Sequence, residues 1–283
     1  MQMASIWSNM IAESHAGGLY LAAWSLSACV WFGGSATLAK RQGLSVPRTM
    51  AILILIIPLF VLGARAHALL FEAQLPLVRL VEEPSLLFRP GWRLPGGLLL
   101  GVLFAPLLAR LWRIPFRAFA DAVLPFAGLG LATGRIGCFL QGCCHGRVTD
   151  LPWGVRFSAG SEAFVNHVGR GLVDSSADYS LPVQPVQLYL ILAGLLTSAF
   201  LLWLFPRRTF VGEVGLVGVV CVALSSATLE LFRESAFVQP VALRSAIPLV
   251  VGSVAFLFWV FVRLHKKNPI VPAKQAIEVT SQA

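Results

Sequence analysis

Apolar runs about as long as a lipid bilayer is thick recur along this 283-residue chain. A helix of about 20 residues crosses the hydrocarbon core, and these runs have roughly that length. Hydrophobic residues make up 57% of the chain and charged residues only 12%, whereas a soluble domain is about a quarter charged. The sequence therefore excludes an ordinary soluble domain and predicts an all-α membrane protein.

Seven such runs predict seven transmembrane helices. They would form a single domain over residues 1–267, with outer-face segments at about 72–94 and 141–185 and a disordered cytoplasmic tail at 268–283. The predicted spans are 18–39, 50–71, 95–112, 116–139, 186–205, 211–232 and 246–263.

Positive charge gives the predicted orientation. Basic residues collect in alternate connections, which the positive-inside rule assigns to the cytoplasm, so the N-terminus is outside, in the periplasm, and the C-terminus is cytoplasmic. The first run has no Lys or Arg ahead of it, so we expect it to stay in the mature protein. A net charge of +9 fits such loops and anionic lipid, and we find no nucleic-acid motif. The basic residues that set the orientation are Lys40, Arg41, Arg48, Arg110, Arg113, Arg117, Arg207, Arg208, Arg263, Lys266, Lys267 and Lys274.

Ionisable residues stand at the predicted outer ends of three apolar runs. They are Arg65, Arg135, and the pair Glu230 and Arg233. Charged side chains in such runs normally face the bundle interior or a water-filled cavity, and guanidinium groups bind phosphate through two parallel donors. One interpretation is a pocket for an anionic lipid headgroup. The alternatives are snorkelling to the interface and, for Glu230 and Arg233, a structural pair on one helix face.

Three cysteines and a histidine stand together as Cys138, Cys143, Cys144 and His145. Their spacing, C-x4-C-C-H, matches none of the familiar zinc patterns. Structural thiols or a disulfide, a catalytic or redox thiol, and a metal site are all compatible with it. If a disulfide forms, Cys138 with one of the other two is favoured, because bonding the adjacent Cys143 and Cys144 would be strained.

The segment GRIGCFLQGCCHGRVTDLPWGVRF, residues 134–157, resembles the signature block of the prolipoprotein diacylglyceryl transferases. That block reads approximately G-R-[IL]-G-N-F-x-N-G-E-x-x-G-R, often followed by T-D-x-P-W-G. The resemblance covers residues 17–263, because other elements occur in the family's order. These elements are GGLYLAAW in the first run, Gly63 to Arg65, the double glycine at Gly96 and Gly97, QPVQLYL from Gln184, and ELFR from Glu230 to Arg233.

The resemblance implies a multi-pass enzyme of the bacterial inner membrane. Such an enzyme moves the diacylglyceryl group from phosphatidylglycerol to the lipobox cysteine thiol of a prolipoprotein and releases glycerol phosphate. Its partners would be the anionic phospholipid, the prolipoprotein segment and the membrane, and no metal or organic cofactor is implied. Fixed guanidinium groups would stabilise the charge that develops on the departing phosphate.

The same resemblance supplies candidate site residues. The implied catalytic residues are Arg135, Glu230 and Arg233, which match the signature arginine and the acidic and basic residues near the end of the sixth span. The implied substrate-binding residues are Arg65, Gly96, Gly97, Gly137, Gly142, Gly146, Arg147, Gln187 and Tyr189.

Four positions depart from the family pattern. Pro95 replaces a histidine before the double glycine, and Ser226 replaces an arginine four residues before the glutamate of ELFR. Cys138 replaces the signature asparagine, and Gln184 replaces the histidine of the HPSQLYE element. A proline side chain cannot accept a proton. The alternatives are therefore a non-catalytic lipid-binding or accessory membrane protein of the same fold, and a thiol or metal membrane protein built on the cysteine cluster.

Overall fold

The computed structural model describes residues 2–67, 69, 94–233 and 241–265. The chain divides into two compact units, the first made of Met1–Trp31 with Leu124–Ala283 and the second of Phe32–Val123. The predicted tail lies outside the described residues, as does the predicted first outer segment apart from its last residue. The single domain predicted over residues 1–267 stays a prediction.

The described residues fold into eight α-helices. They contain isolated β-bridges but no β-strand, so the predicted all-α class is confirmed. A short 3-10 helix follows the sixth α-helix. The helices are α1 Gln2–Arg41, α2 Val46–His67, α3 Leu94–Leu111, α4 Phe116–Leu140, α5 Glu162–Gly169, α6 Val186–Leu204, α7 Glu213–Glu230 and α8 Val241–His265.

A helix lies at each of the seven predicted spans, and α5 is the additional short helix. Four of the seven are long and apolar enough to cross a membrane, and the other three have shorter apolar stretches. The protein is thus a multi-pass membrane protein, while the count of seven spans and the orientation stay predictions. The four long stretches are Gly18–Arg41, Val46–Ala66, Phe116–Leu140 and Val186–Arg207, and the shorter ones are Leu99–Leu111, Glu213–Leu229 and Leu249–Leu264.

Small residues let α2 and α3 pack closely within the second unit. A Cβ atom at Gly63 would collide with the carbonyl group of Gly96 and lie 2.9 Å from Leu100 Cγ. A Cβ atom at Gly97 would lie 2.8 Å from both the ring and the carbonyl oxygen of Phe60. Such close backbone approach is typical of membrane helices, whose association depends on packing. Both glycines of the double glycine are therefore buried in a helix contact.

A buried carboxylate joins α7 to α8 within the first unit. Glu213, the first residue of α7, is fully buried. It accepts hydrogen bonds from the Thr209 backbone N–H and from Trp259 Nε1 at 3.2 Å, and Arg263 Nη1 lies 3.7 Å from it. Buried charges persist where they are paired, and a carboxylate in the first turn also interacts favourably with the helix dipole. This contact fixes the geometry of the α7 and α8 pair.

The long connection between α4 and α6 folds around its own small core. Helix α5 begins after Ser161, whose Oγ accepts a hydrogen bond from the Phe164 backbone N–H at 3.2 Å, as an N-cap residue does. Phe157 and Val183 are buried and pack together. Val155 and Val183 exchange backbone hydrogen bonds of 3.0 and 2.9 Å. The connection is therefore an ordered scaffold, and the signature segment forms its first part.

Candidate active site

The end of α4 brings two cysteines together. Gly142 has a φ of 66°, and its N–H bonds to the Phe139 carbonyl at 3.1 Å, while the Cys143 N–H bonds to the Cys138 carbonyl at 3.1 Å. This pair of hydrogen bonds forms a Schellman motif, which a glycine in the left-handed region allows. A Cβ atom here would also lie 3.0 Å from the Phe157 ring. Glycine followed by cysteine at this helix end thus folds Cys143 back over Cys138.

Cys144 completes a cluster of three sulfur atoms, which we call the thiol cluster. The Sγ atoms of Cys138, Cys143 and Cys144 all lie within 4.8 Å of one another, and all three are free thiols. Cys138 and Cys143 are 2% and 9% exposed, whereas Cys144 is exposed. The backbone of Cys144 has a φ of 58°, which costs a residue with a side chain roughly 1 kcal/mol or more. The thiol cluster therefore has a buried floor and an open face at Cys144.

The ring of the neighbouring histidine is held by other groups. His145 Nδ1 lies 3.0 Å from the Gly146 carbonyl oxygen, and Nε2 lies 3.5 Å from Asn166 Nδ2. The ring packs edge-on against His167, with 5.7 Å between ring centroids. Within the part of the chain that the structure describes, the cluster expected from Cys138, Cys143, Cys144 and His145 thus reduces to its three sulfurs. His145 instead ties the signature segment to α5.

Arg135 lies one helical turn before Cys138, on the same face of α4. Its side chain is 9% exposed, and Nη1 donates to Cys138 Sγ at 3.8 Å. Its Nε is buried and has no hydrogen-bond partner among the residues that the structure describes. An unsatisfied buried donor costs about 1–3 kcal/mol, and in native structures it often marks the place of a ligand or ordered water. Arg135 therefore brings a buried positive charge with spare hydrogen-bonding capacity to the thiol cluster.

Gly146 fits the loop between the start of α6 and the end of α7. Its N–H bonds to the Gln184 carbonyl at 2.9 Å, and the Arg147 N–H bonds to the Phe232 carbonyl at 3.0 Å. A Cβ atom at Gly146 would lie 2.6 Å from Gln184 Cβ and 2.5 Å from the Phe232 oxygen. Gly146 also forms a β-bridge with Arg233. The pairing brings the ELFR element to the signature loop, which a larger residue than glycine would prevent.

Positive charge and hydrogen bonding favour a thiolate at the open face. Hydrogen bonds from Cys138 and Cys143 lower the pKa of the Cys144 thiol below its ordinary value, and the charges of Arg135 and Arg233 act in the same direction. The pKa of Cys143 is raised, first because its thiol hydrogen-bonds to Cys138 and Cys144 and then because it is buried. The surroundings of Cys144 therefore favour its thiolate form more than those of Cys143 do.

The start of α6 holds the loop from the other side. Gln187 is fully buried, and its Nε2 donates to the Cys143 carbonyl at 2.8 Å. Its Oε1 is also buried, and no group in the described part of the chain hydrogen-bonds to it. The Tyr189 hydroxyl donates to Gln184 Oε1 at 2.7 Å and accepts from Trp153 Nε1 at 2.8 Å. The QLY element therefore fixes the signature loop through both a backbone and a side-chain contact.

Other predicted residues are distributed more widely. The side chain of Arg147 is exposed on the loop, and Gly137 is buried in α4. Arg65 is 7% exposed in α2 and belongs to the second unit. Glu230 is the last residue of α7, and its side chain lies outside the described part of the structure. The structure thus joins Arg135, Arg233, Arg147 and the QLY element around one loop and describes Arg65 separately.

Two of the four departures from the family pattern fall within this site. Cys138 forms the floor of the thiol cluster, and Gln184 accepts the hydrogen bond of Tyr189. Ser226 is half-buried on α7. Pro95 lies in α3, and its side chain is outside the described part.

Two contacts at the site were not anticipated from the sequence. The phenol of Tyr20, on α1, lies within electrostatic range of all three sulfurs, and a Cβ atom at Gly137 would lie 3.3 Å from its ring. Gln184 Nε2 donates to Thr149 Oγ1 at 2.9 Å. Tyr20 stands in the GGLYLAAW element and Thr149 in the T-D-x-P-W-G segment. The resemblance of these two elements to the family was the sequence signal that could have identified both residues.

Comparison with known proteins gives consistent matches. The family model described as prolipoprotein diacylglyceryl transferase matches residues 16–262. Three relatives, all named phosphatidylglycerol–prolipoprotein diacylglyceryl transferase, illustrate the similarity. The protein from Mannheimia succiniciproducens is 35% identical over 159 residues, which cover 54% of this chain and 52% of the relative. Those from Nitrosomonas europaea and Vibrio vulnificus are each 31% identical, over 71% and 74% of this chain and 69% and 74% of the relatives.

The extent of these matches decides the family. The chain spans about half the length of the Mannheimia relative (52%), but more than two thirds of the other two. The family model covers nearly all of the described helices, including the signature loop and both flanking arginines. This chain therefore belongs to the prolipoprotein diacylglyceryl transferase family.

Proposed function

We propose that this protein transfers the diacylglyceryl group of phosphatidylglycerol to the lipobox cysteine thiol of a prolipoprotein. One observation carries the proposal: Arg135 on α4 contacts Cys138 Sγ at 3.8 Å, and Arg233 beyond α7 forms a β-bridge with Gly146, so two cationic residues from separate elements flank the signature loop. Guanidinium groups arranged in this way suit a phosphate headgroup. The names of the relatives support the choice of lipid and acceptor.

The reaction is a nucleophilic displacement at carbon. The acceptor sulfur attacks the glyceryl carbon that bears the phosphate, an S–C bond forms, and the C–O bond breaks. The electron pair of that bond leaves on glycerol phosphate, and the acceptor thiol gives its proton to solvent. Negative charge grows on the leaving phosphate, so a fixed guanidinium stabilises the transition state more than the bound substrate.

Arg135 and Arg233 are assigned to the leaving phosphate. Arg135 suits this role because none of the described residues hydrogen-bonds to its Nε, which therefore keeps a donor for a headgroup oxygen. Arg147, exposed on the same loop, is assigned to the outer part of the headgroup. Gln187 and Tyr189 hold the loop that carries these groups.

Further residues are assigned on the family pattern. Glu230 is proposed as a catalytic residue, and Arg65 with the double glycine of α3 is proposed to bind lipid. Gly137, Gly142 and Gly146 serve the site by permitting the tight turn and close packing of the signature segment. The proposed setting is a seven-span inner-membrane domain over residues 1–267, with the N-terminus in the periplasm and the C-terminus in the cytoplasm.

A second function follows from Pro95 and Ser226. The family pattern has an imidazole and a guanidinium at these positions, and general acid–base and oxyanion contributions are each worth about 10²-fold or more. A chain that keeps the phosphate-binding arginines without those groups fits a non-catalytic lipid-binding or accessory protein.

One assay separates the two functions. Purified protein in vesicles of phosphatidylglycerol is given a synthetic lipobox peptide, and mass spectrometry detects the thioether-linked diacylglyceryl peptide while glycerol phosphate is measured in solution. The peptide with serine in place of cysteine and vesicles of phosphatidylethanolamine are the controls. Product that forms with the cysteine peptide and not with the serine peptide supports the transferase. Headgroup-dependent binding without product supports the accessory protein. If neither product nor headgroup-dependent binding is found, both functions are contradicted.

A further inference from the structure

No step of the proposed transfer reaction uses the thiol cluster. Phosphate binding uses the arginines, and the displacement needs only the acceptor sulfur. Yet two buried thiols and one exposed thiol converge from a helix end and the following turn, and their Sγ atoms lie within 4.8 Å of one another. Such convergence requires the Schellman turn at Gly142 and the strained backbone of Cys144. The arrangement therefore needs an explanation of its own.

We propose that Cys138, Cys143 and Cys144 bind a Zn²⁺ ion with an open fourth position, and that this position takes the thiol of the acceptor peptide. The proposal rests on the proposed transferase function and names the group that activates its nucleophile.

The dimensions of the cluster suit this ion. A Zn–S bond is about 2.3 Å, so sulfurs around a tetrahedral ion are about 3.8 Å apart. The present Sγ separations, all within 4.8 Å, need to shorten by about 1 Å at most to reach this spacing. The Cys143 N–H to Cys138 carbonyl bond already fixes the backbone on which two of the ligands stand.

The chemistry of the ligands suits an activating site. Catalytic zinc sites have three protein ligands and keep the fourth position for water or substrate, whereas structural sites are closed by four. Three thiolates are supplied here, and the ring nitrogens of His145 face Gly146 and Asn166. Cys144 is the exposed residue of the cluster, so the approach of the acceptor is assigned to its side.

Charge balance also favours this assignment. Zn²⁺ with three thiolates carries one negative charge, and a fourth thiolate makes the charge two. The guanidinium of Arg135 lies at the cluster, with Nη1 3.8 Å from Cys138 Sγ. Arg233 reaches the same loop through its bridge with Gly146. Two cations therefore offset the charge of the loaded site.

Two buried polar atoms beside the cluster have hydrogen-bonding capacity that the described residues do not use. Gln187 is fully buried, and its amide nitrogen donates a hydrogen bond to the Cys143 carbonyl. Neither Gln187 Oε1 nor Arg135 Nε has a hydrogen-bond partner within the described ranges of the chain. A bound acceptor peptide brings backbone N–H groups that can donate to Gln187 Oε1, and the lipid phosphate brings oxygens that can accept from Arg135 Nε.

The step balances without any redox change. The acceptor thiol binds Zn²⁺ as a thiolate and gives its proton to solvent, because a coordinating thiol is deprotonated. The zinc-bound sulfur attacks the glyceryl carbon, the S–C bond forms, and the C–O electron pair leaves with glycerol phosphate. The product thioether is neutral and a weak ligand, so it dissociates and reopens the fourth position. Zinc thus performs the deprotonation that a proline at position 95 cannot.

Metal binding is tested on the reduced full-length protein in detergent, without lipid substrate. After incubation with Zn²⁺ and gel filtration, bound zinc is measured by mass spectrometry, and Co²⁺ is used as a spectroscopic substitute. We expect one Zn²⁺ per chain and thiolate-to-cobalt absorption. Cys144→Ser is expected to weaken binding at least about 100-fold, since even indirect supports of a metal ligand contribute 10- to 100-fold. Cys29→Ser with Cys221→Ser is the matched control and is expected to bind normally.

The open position is tested by adding the lipobox peptide to the cobalt protein. We expect the cysteine peptide to shift the cobalt spectrum and the serine peptide to leave it unchanged. Reduced protein that binds no zinc, or binding that survives Cys144→Ser, overturns the site. A cobalt spectrum that ignores the cysteine peptide, or full transfer activity by zinc-free Cys144→Ser protein, overturns its role in the reaction.

These results are separable from the transferase proposal. Zinc and peptide binding without product leave the metal site standing and remove the transferase. Product formed at the normal rate by zinc-free protein leaves the transferase standing and removes the metal step.

Discussion

Replacing Arg135 by alanine gives the sharpest test of the phosphate site. The guanidinium is 9% exposed, and it already approaches one acceptor, Cys138 Sγ, at 3.8 Å. A phosphate oxygen at about 4 Å in a medium of effective dielectric about 20 interacts with one unit charge by about 4 kcal/mol. Because each 1.36 kcal/mol is tenfold in rate, we expect Arg135→Ala to lower kcat/KM by about 10³-fold, at the upper end of the range for removal of an oxyanion donor.

The controls separate charge from structure. Arg135→Lys keeps the positive charge but loses the planar fork, so we expect it to retain more activity than the alanine variant, within about 10²-fold of the unmodified protein. Arg156→Ala removes an exposed arginine from the same connection and is expected to change kcat/KM less than about twofold, as surface substitutions usually do. Gel filtration and thermal unfolding in detergent check that each variant is folded. A folded Arg135→Ala protein with an unchanged rate would refute the reasoning.

Three further substitutions test the scaffold, each by thermal unfolding in detergent. Gly146→Ala adds a Cβ atom 2.5 to 2.7 Å from three neighbours and should destabilise the protein by about 1–3 kcal/mol. Gly169→Ala is the control, since a Cβ atom there meets open space, and it should change stability by less than about 0.5 kcal/mol. Equal effects of the two substitutions would contradict the packing argument. Glu213→Ala leaves the Trp259 indole N–H without its acceptor and should cost about 1–3 kcal/mol, with Glu213→Gln costing less, and the reverse order would count against the buried contact. Tyr189→Phe removes both hydrogen bonds of the hydroxyl and should lower stability by about 1–2 kcal/mol; no change would mean that the α6 contact does not hold the loop.

The helices were predictable because their signal is local and strong. An apolar run of bilayer length has few alternatives, since backbone groups in hydrocarbon must pair within the segment. The seven predicted spans therefore each coincide with a helix, although α1 begins well before its predicted start and α8 begins at Val241. The extension of a helix beyond its apolar run depends on polar residues at its ends, for which hydropathy carries no information. Helix α5 was missed because it has only eight residues and contains no apolar run of bilayer length.

The sequence indicated which residues belong to the candidate site better than it indicated how they are arranged. The signature block and the ELFR element were identified as patterns, but nothing in their spacing indicated that Gly146 would bridge to Arg233. The convergence of Cys138 and Cys143 depends on a left-handed residue at Gly142, which the sequence permits without requiring. Tyr20 could not be assigned to the cluster because its approach depends on how α1 packs against α4.

The replacement of asparagine by cysteine at position 138 changes what the signature arginine binds. An asparagine side chain offers an amide oxygen, a strong acceptor for a guanidinium, whereas a thiol sulfur is a weak one. Arg135 Nη1 lies 3.8 Å from Cys138 Sγ, a longer contact than an N–H to oxygen bond, and no described residue hydrogen-bonds to its Nε. The substitution therefore leaves the guanidinium less satisfied by the protein and freer to bind an anion. A neutral thiol would leave that charge uncompensated, while a thiolate cluster carrying a metal ion and an acceptor sulfur would supply an anion of the required sign. The cysteine at position 138 thus couples Arg135 to the charge state of the three sulfurs.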